Sequence, residues 1–159
     1  MFRTTKVKSK AAQALIDKIN ERKARAGVIG LGYVGLPLSM VLVQAGLKVT
    51  GFDIAEKKVK LLNSGKSDID DVPNKMVARA VKNGMFTVSM DPKLLRQMDT
   101  VSICVPTPLS KTKDPDVSHI MAAMGWVVPN LKKGALVVLE STTYPGTTEE
   151  LILPLFEEQ

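Results

Sequence analysis

One cysteine, Cys104, in 159 residues excludes an intramolecular disulfide and any cluster of thiolate metal ligands, and a lone thiol fits a reducing cytoplasm. The single histidine, His119, has neither a second histidine nor an acidic partner at useful spacing. It reads as a surface or structural residue rather than a general base, and no metal site is expected. Aromatics make up only 4%, so the core is aliphatic, and no basic patch is interleaved with aromatic rings as nucleic-acid binding would need. The longest apolar stretch, about Val34 to Val43, is too short to span a bilayer. Met1 to Lys10 is charged but is not followed by an apolar run, so no leader or membrane role is expected. Repeats and low-complexity segments are absent from the sequence.

What is present is the balance of a globular α/β domain: 45% hydrophobic and 24% charged residues over a length suited to one domain. The formal charge of +6 and the pI near 9.5 owe much to Lys6, Lys8, Lys10, Lys18, Arg22, Lys23 and Arg25 at the start of the chain. Residues 1–24 read as a basic leading segment. Within it Ala12, Leu15, Ile16 and Ile19 fall at helical spacing, a narrow stripe that packs on a domain edge.

From residue 25 onward strands alternate with helices. Ala26 to Gly30 reads as a strand and Tyr33 to Ala45 as a helix with Pro37 near its start. Lys48 to Asp53 is a second strand and Ala55 to Leu62 a second helix. After the acidic loop Ser67 to Pro73 come a helix from Asn74 to Lys82, a strand from Phe86 to Ser89 and a helix from Asp91-Pro92 to about Gln97. A buried strand then runs from Thr100 to Val105. A polar loop from Ser110 to Pro115 leads to a helix at about Asp116 to Val128, with Met121, Met124 and Trp126 as core. A strand from Ala135 to Glu140, a loop, and a helical piece from Thr147 to Phe156 disturbed by Pro154 follow. Such alternation predicts a doubly wound parallel sheet of five strands in the order 3-2-1-4-5, preceded by the N-terminal helix.

The chemistry-bearing signal lies between the first strand and the first helix that follows it, in Gly30-Leu31-Gly32-Tyr33-Val34-Gly35. Gly30 permits the tight turn, Gly32 lets backbone approach a pyrophosphate and Gly35 allows close helix packing, which together define a Rossmann-type dinucleotide fingerprint. Asp53 ends the second strand, 23 residues after Gly30, where its carboxylate can accept from both adenosine-ribose hydroxyls and repel a 2′-phosphate; NAD is favoured over NADP. The alternative for Asp53 is a helix cap. Lys58 can reach back toward the ribose, although a solvated face is the default for Lys57 and Lys58. The strand exits Val105-Pro106-Thr107-Pro108 and Glu140-Ser141-Thr142-Thr143-Tyr144-Pro145-Gly146 are expected beside the nicotinamide end, with hydroxyls that position a substrate oxygen or bond nearby backbone. Cys104, in a buried strand, reads as inert.

These residues resemble the UDP-glucose/GDP-mannose dehydrogenases, and within them the branch acting on UDP-N-acetylhexosamines. The resemblance runs from Arg25 to Glu158. It is carried by Gly27 to Pro37, Asp70-Asp71-Val72-Pro73, Cys104 to Leu109 with Lys111-Thr112-Lys113 and Pro115-Asp116, and Glu140 to Thr148. It implies an NAD-dependent oxidation of the sugar C6 alcohol to a carboxylate in two hydride transfers through a cysteine-bound intermediate. By resemblance Gly30, Leu31, Gly32, Tyr33, Val34 and Gly35 hold the pyrophosphate, Asp53 and Lys58 the adenosine ribose, and Val105, Pro106 and Thr107 the nicotinamide side. Glu140 joins them more weakly, and Thr142 helps order a catalytic water and the substrate oxygen. The family's nucleophilic cysteine, dimer-building helix and UDP-binding domain are not matched by this sequence, and Cys104 is not that cysteine. The 159 residues are therefore expected to bind NAD without turnover, whereas the complete enzyme is a cytoplasmic homodimer acting on a UDP-sugar. The alternative is a non-catalytic NAD-binding module.

Overall fold

The computed structural model describes residues 9–108 and 115–157; the expected polar loop from Ser110, with Leu109 and Lys111-Thr112-Lys113, lies outside them. Five strands form one parallel sheet in the order β3-β2-β1-β4-β5, as the alternation predicts. They are β1 (Arg25–Ile29), β2 (Lys48–Phe52), β3 (Phe86–Ser89), β4 (Thr100–Ile103) and β5 (Leu136–Leu139). The register places Ile29 beside both Phe52 and Ile103, so the exits of β1, β2 and β4 end level with one another.

Side-chain alternation along the strands divides the core into two layers. Ala26, Val28 and Val49 face α2 (Gly35–Gln44), α3 (Glu56–Asn63) and α4 (Asn74–Lys82), where they meet Leu36, Met40, Leu62 and Val77. Ile29, Phe52, Val101 and Ile103 face α5 (Ser118–Val127), meeting Ile120, Ala123, Met124 and Val127. Burial on both faces is why these strands read as continuous apolar runs.

The leading helix α1 (Lys10–Asn20) buries none of its residues. It is tied to the sheet by charge: Lys18 Nζ and Lys132 Nζ donate to Asp99 Oδ1 at 3.0 and 2.7 Å, and the Arg25 N–H donates to Asp99 Oδ2 at 2.8 Å.

Two expected helices take other forms. Pro92–Gln97 is a tight 3-10 segment, because only six residues separate the Asp91 cap, which accepts from the Lys93 N–H, from the turn into β4. Thr147–Ile152 winds wider, as a π-helix, before α6 (Leu153–Glu157). Pro154 has no N–H to offer the Glu150 carbonyl, so regular α-winding cannot pass through that point.

Candidate functional site

Parallel strands that run outward from β1 and β4 in opposite directions leave a crevice at their carboxyl ends. A cleft of about 410 Å³ occupies that place. Its floor is the turn between β1 and α2. Gly30 holds a φ of +84°, and a Cβ there would lie 2.8 Å from the Cys104 carbonyl oxygen on β4's exit, so the two exits approach as closely as only glycine allows. A Cβ on Gly35 would drive into the Gly30 carbonyl oxygen, which is how α2 starts tight against the sheet. Gly35 itself does not face the cleft. At Gly32, by contrast, an added Cβ would meet nothing within 4 Å; the space a phosphate group needs is open.

The start of α2 suits an anion. It has no side-chain cap and no acidic residue in its first turn, and the N–H groups of Gly32, Tyr33 and Val34 meet no acceptor among the described residues. Such unpaired donors at the positive end of a helix favour a phosphate.

At one end of the cleft stand Asp53, Ile54 and Lys58. Asp53 does not cap α3, which begins after Ala55 with no side-chain cap. Its Oδ1 accepts from the Ala55 N–H at 2.9 Å in the turn ahead of that helix, and its Oδ2 accepts from the Leu31 N–H at 3.0 Å. Each oxygen keeps a lone pair for a ribose hydroxyl. Lys58 departs from the solvated default. Its side chain is only 19% exposed, and its Nζ donates to the Leu31 carbonyl at 3.2 Å and pairs with Asp68 at 2.6 Å.

Val105, Pro106 and Thr107 from β4's exit, and Glu140, Ser141 and Thr142 from β5's, line the other end. Ser141 Oγ donates to the Val105 carbonyl at 2.7 Å and so fastens the two exits together. The sequence signals no such latch between residues this far apart. The Cys104 thiol beneath them is pushed up to about 11 by burial first and then by the Glu140 carboxylate. A disulfide reagent at pH 8 is therefore expected to react with the folded chain about 100-fold more slowly than with the chain in denaturant; equal rates would contradict this burial.

The fourth wall is one that sequence reading assigned elsewhere. His119, Ala122, Ala123 and Trp126, at positions i, i+3, i+4 and i+7 of α5, all line the cleft. Trp126, expected in the core, packs against it with one side and borders the cleft with the other. A second hollow, of about 540 Å³, lies between α2 and α4 over Met40 and Met76, away from the strand exits.

Sheet order, glycine turn and uncapped helix start define a dinucleotide-binding Rossmann domain. Residues 24–159 match the UDP-glucose/GDP-mannose dehydrogenase family, NAD binding domain, and the chain belongs to that family. It is 42% identical over 125 residues to an NDP-N-acetyl-D-galactosaminuronic acid dehydrogenase of Ralstonia nicotianae, covering 78% of this chain and 29% of that one. It is 37% identical over 128 residues to a UDP-N-acetyl-D-mannosamine dehydrogenase of Pyrococcus horikoshii, covering 80% and 30%. Among solved structures, a GDP-mannose dehydrogenase of Pseudomonas aeruginosa superposes with a TM-score of 0.80 at 30% identity over 84% of this chain and 32% of that one. The chain thus spans about 30% of the length of the curated relatives it matches.

Proposed function

We propose that the cleft holds NAD and that the chain is the cofactor domain of an NAD-dependent UDP-N-acetylhexosamine 6-dehydrogenase. The observation that carries this is the uncapped start of α2 above open space at Gly32, with the Asp53 carboxylate at the cleft's end. In this reading the N–H groups of Gly32, Tyr33 and Val34 receive the pyrophosphate, Gly30 and Gly35 set the turn that presents them, Leu31 anchors that turn to Asp53, and Asp53 accepts from the ribose hydroxyls. Lys58 steadies the turn through the Leu31 carbonyl. Val105, Pro106, Thr107 and Glu140 border the nicotinamide end, and Thr142 orders a water or the substrate oxygen. When bound, NAD supplies the hydride acceptor for oxidation of the sugar's C6 alcohol.

Cys104, its pKa pushed up to about 11, supplies no ionised thiol near neutral pH and so is not the nucleophile of a covalent step on the sugar. The complete protein in this reading is a cytoplasmic homodimer. Among the described residues no helix is long and apolar enough to cross a membrane.

Trp126 is the chain's one tryptophan and borders the cleft, so its fluorescence reports occupancy. Titration with NAD is expected to quench it saturably, with NADP weaker. Asp53→Ala is expected to lower NAD affinity about tenfold or more, the scale of losing charge-assisted hydrogen bonds. A folded chain that gave no saturable change by fluorescence or calorimetry, or that preferred NADP, would overturn the reading.

A further inference from the structure

Leu31 is gripped from both sides. Its N–H donates to Asp53 at 3.0 Å and its carbonyl accepts from Lys58 at 3.2 Å, which brings the ribose-binding acid and the Lys58 ammonium to one residue of the glycine turn. Among the described residues lining the cleft, Lys58 alone carries a permanent positive charge. A cation in this position is what a 2′-phosphate would seek once the acid at the end of β2 ceased to repel it. Lys58 is already taken, however. Its Nζ pairs with Asp68 Oδ2 at 2.6 Å, from a loop between α3 and α4 that does not itself line the cleft.

Resting on the reading that Asp53 holds the adenosine ribose, we propose that Asp68 is a second determinant of NAD over NADP, because it occupies the Lys58 ammonium that a 2′-phosphate would otherwise take. With both acids in place, the group formed by Asp53, Lys58 and Asp68 carries net negative charge where the extra phosphate would arrive. Neutralising Asp53 alone removes the direct repulsion but leaves Lys58 paired. Neutralising Asp68 alone frees Lys58 but leaves the repulsion. The two acids therefore act jointly, and NADP should gain most when both are neutral.

The test is a cycle of Asp53→Asn, Asp68→Asn and the double variant of this chain, each titrated with NAD and with NADP. Asp53→Asn keeps one accepting oxygen for the two N–H groups, of Leu31 and Ala55, that Asp53 holds, and is checked for an unchanged melting temperature before titration. Asp68→Asn removes the charge beside Lys58, and Asp68→Ala, at a side chain 39% exposed, removes any residual hold on it. The expected result is a NADP-to-NAD affinity ratio in the double variant that exceeds the product of the single changes by about fivefold or more, the scale of coupling between contacting residues. Adding Lys58→Met should abolish that excess. Independent single effects, or an excess that survives Lys58→Met, would overturn the role of Asp68 while leaving the cofactor reading intact. Failure of the unaltered chain to bind NAD would overturn both.

Discussion

Gly35→Ala is expected to abolish NAD binding and to destabilise the chain by about 3–5 kcal/mol, the range of severe single substitutions. The added methyl group would collide with the Gly30 carbonyl oxygen, which belongs to backbone and cannot rotate away. Relief requires α2 to move off the sheet. That movement is resisted by Leu36 and Met40, which are 0% and 2% exposed in the layer beneath α2, so the collision is traded for lost packing. The donors at the start of α2 move with the helix, which is why binding and stability fall together. On a chain of this size the melting temperature should drop by about 10 °C. Gly125→Ala is the control: it lies in α5, meets nothing within 4 Å and is expected to stabilise by about 0.5–1 kcal/mol. An unchanged melting temperature for Gly35→Ala would mean that the turn is not packed as described.

The parts of this molecule that could be read from the sequence are those fixed by neighbours along the chain. Helix 74–82 and strand 86–89 have the bounds their residues predict, because Pro73 starts one and Asn83-Gly84 separates it from the other. The cleft's glycine turn, Asp53 and strand exits were legible for a topological reason: a parallel sheet wound both ways must open at β1 and β4, and exits from those strands must meet there. Less legible were features decided by which side of an element faces what. His119, Ala122, Ala123 and Trp126 share a helix face, but the same spacing serves a core stripe. Only the position of α5 beside the exits turns part of that face toward the cleft. Lys58 reads as solvated until the fold brings Asp68 and the Leu31 carbonyl to it. Winding at 92–97 and 147–152 likewise depends on how few residues remain before a strand or a proline, which periodicity does not reveal.

Asp99 carried no signal at all in the sequence, because its partners Lys18, Arg25 and Lys132 are distant along the chain, yet it is expected to govern stability in acid. Its side chain is 7% exposed. Burial by itself would raise its pKa, but Lys132, the Arg25 N–H and Lys18 outweigh burial and hold the carboxyl at about 2 against an ordinary 3.8. A group whose pKa is lower folded than unfolded stabilises the fold wherever it is ionised in both states. Its contribution, roughly 2 kcal/mol, is therefore fully present above about pH 4 and drains away as pH falls toward 2. Asp99→Asn keeps an acceptor for the Arg25 N–H and loses the charge. Lys18 and Lys132 are 51% and 35% exposed and can return to water, so the cost should be about 2–3 kcal/mol at neutral pH rather than the larger penalty of stranding buried cations. Urea unfolding of both proteins should show that gap at pH 7, a narrower one at pH 3 and almost none at pH 2. Because α1 buries no residue and is tied to the sheet through Lys18, its amides should also exchange faster in the variant. A gap that stayed constant from pH 7 to pH 2 would show that Asp99 acts through packing and not through its charge.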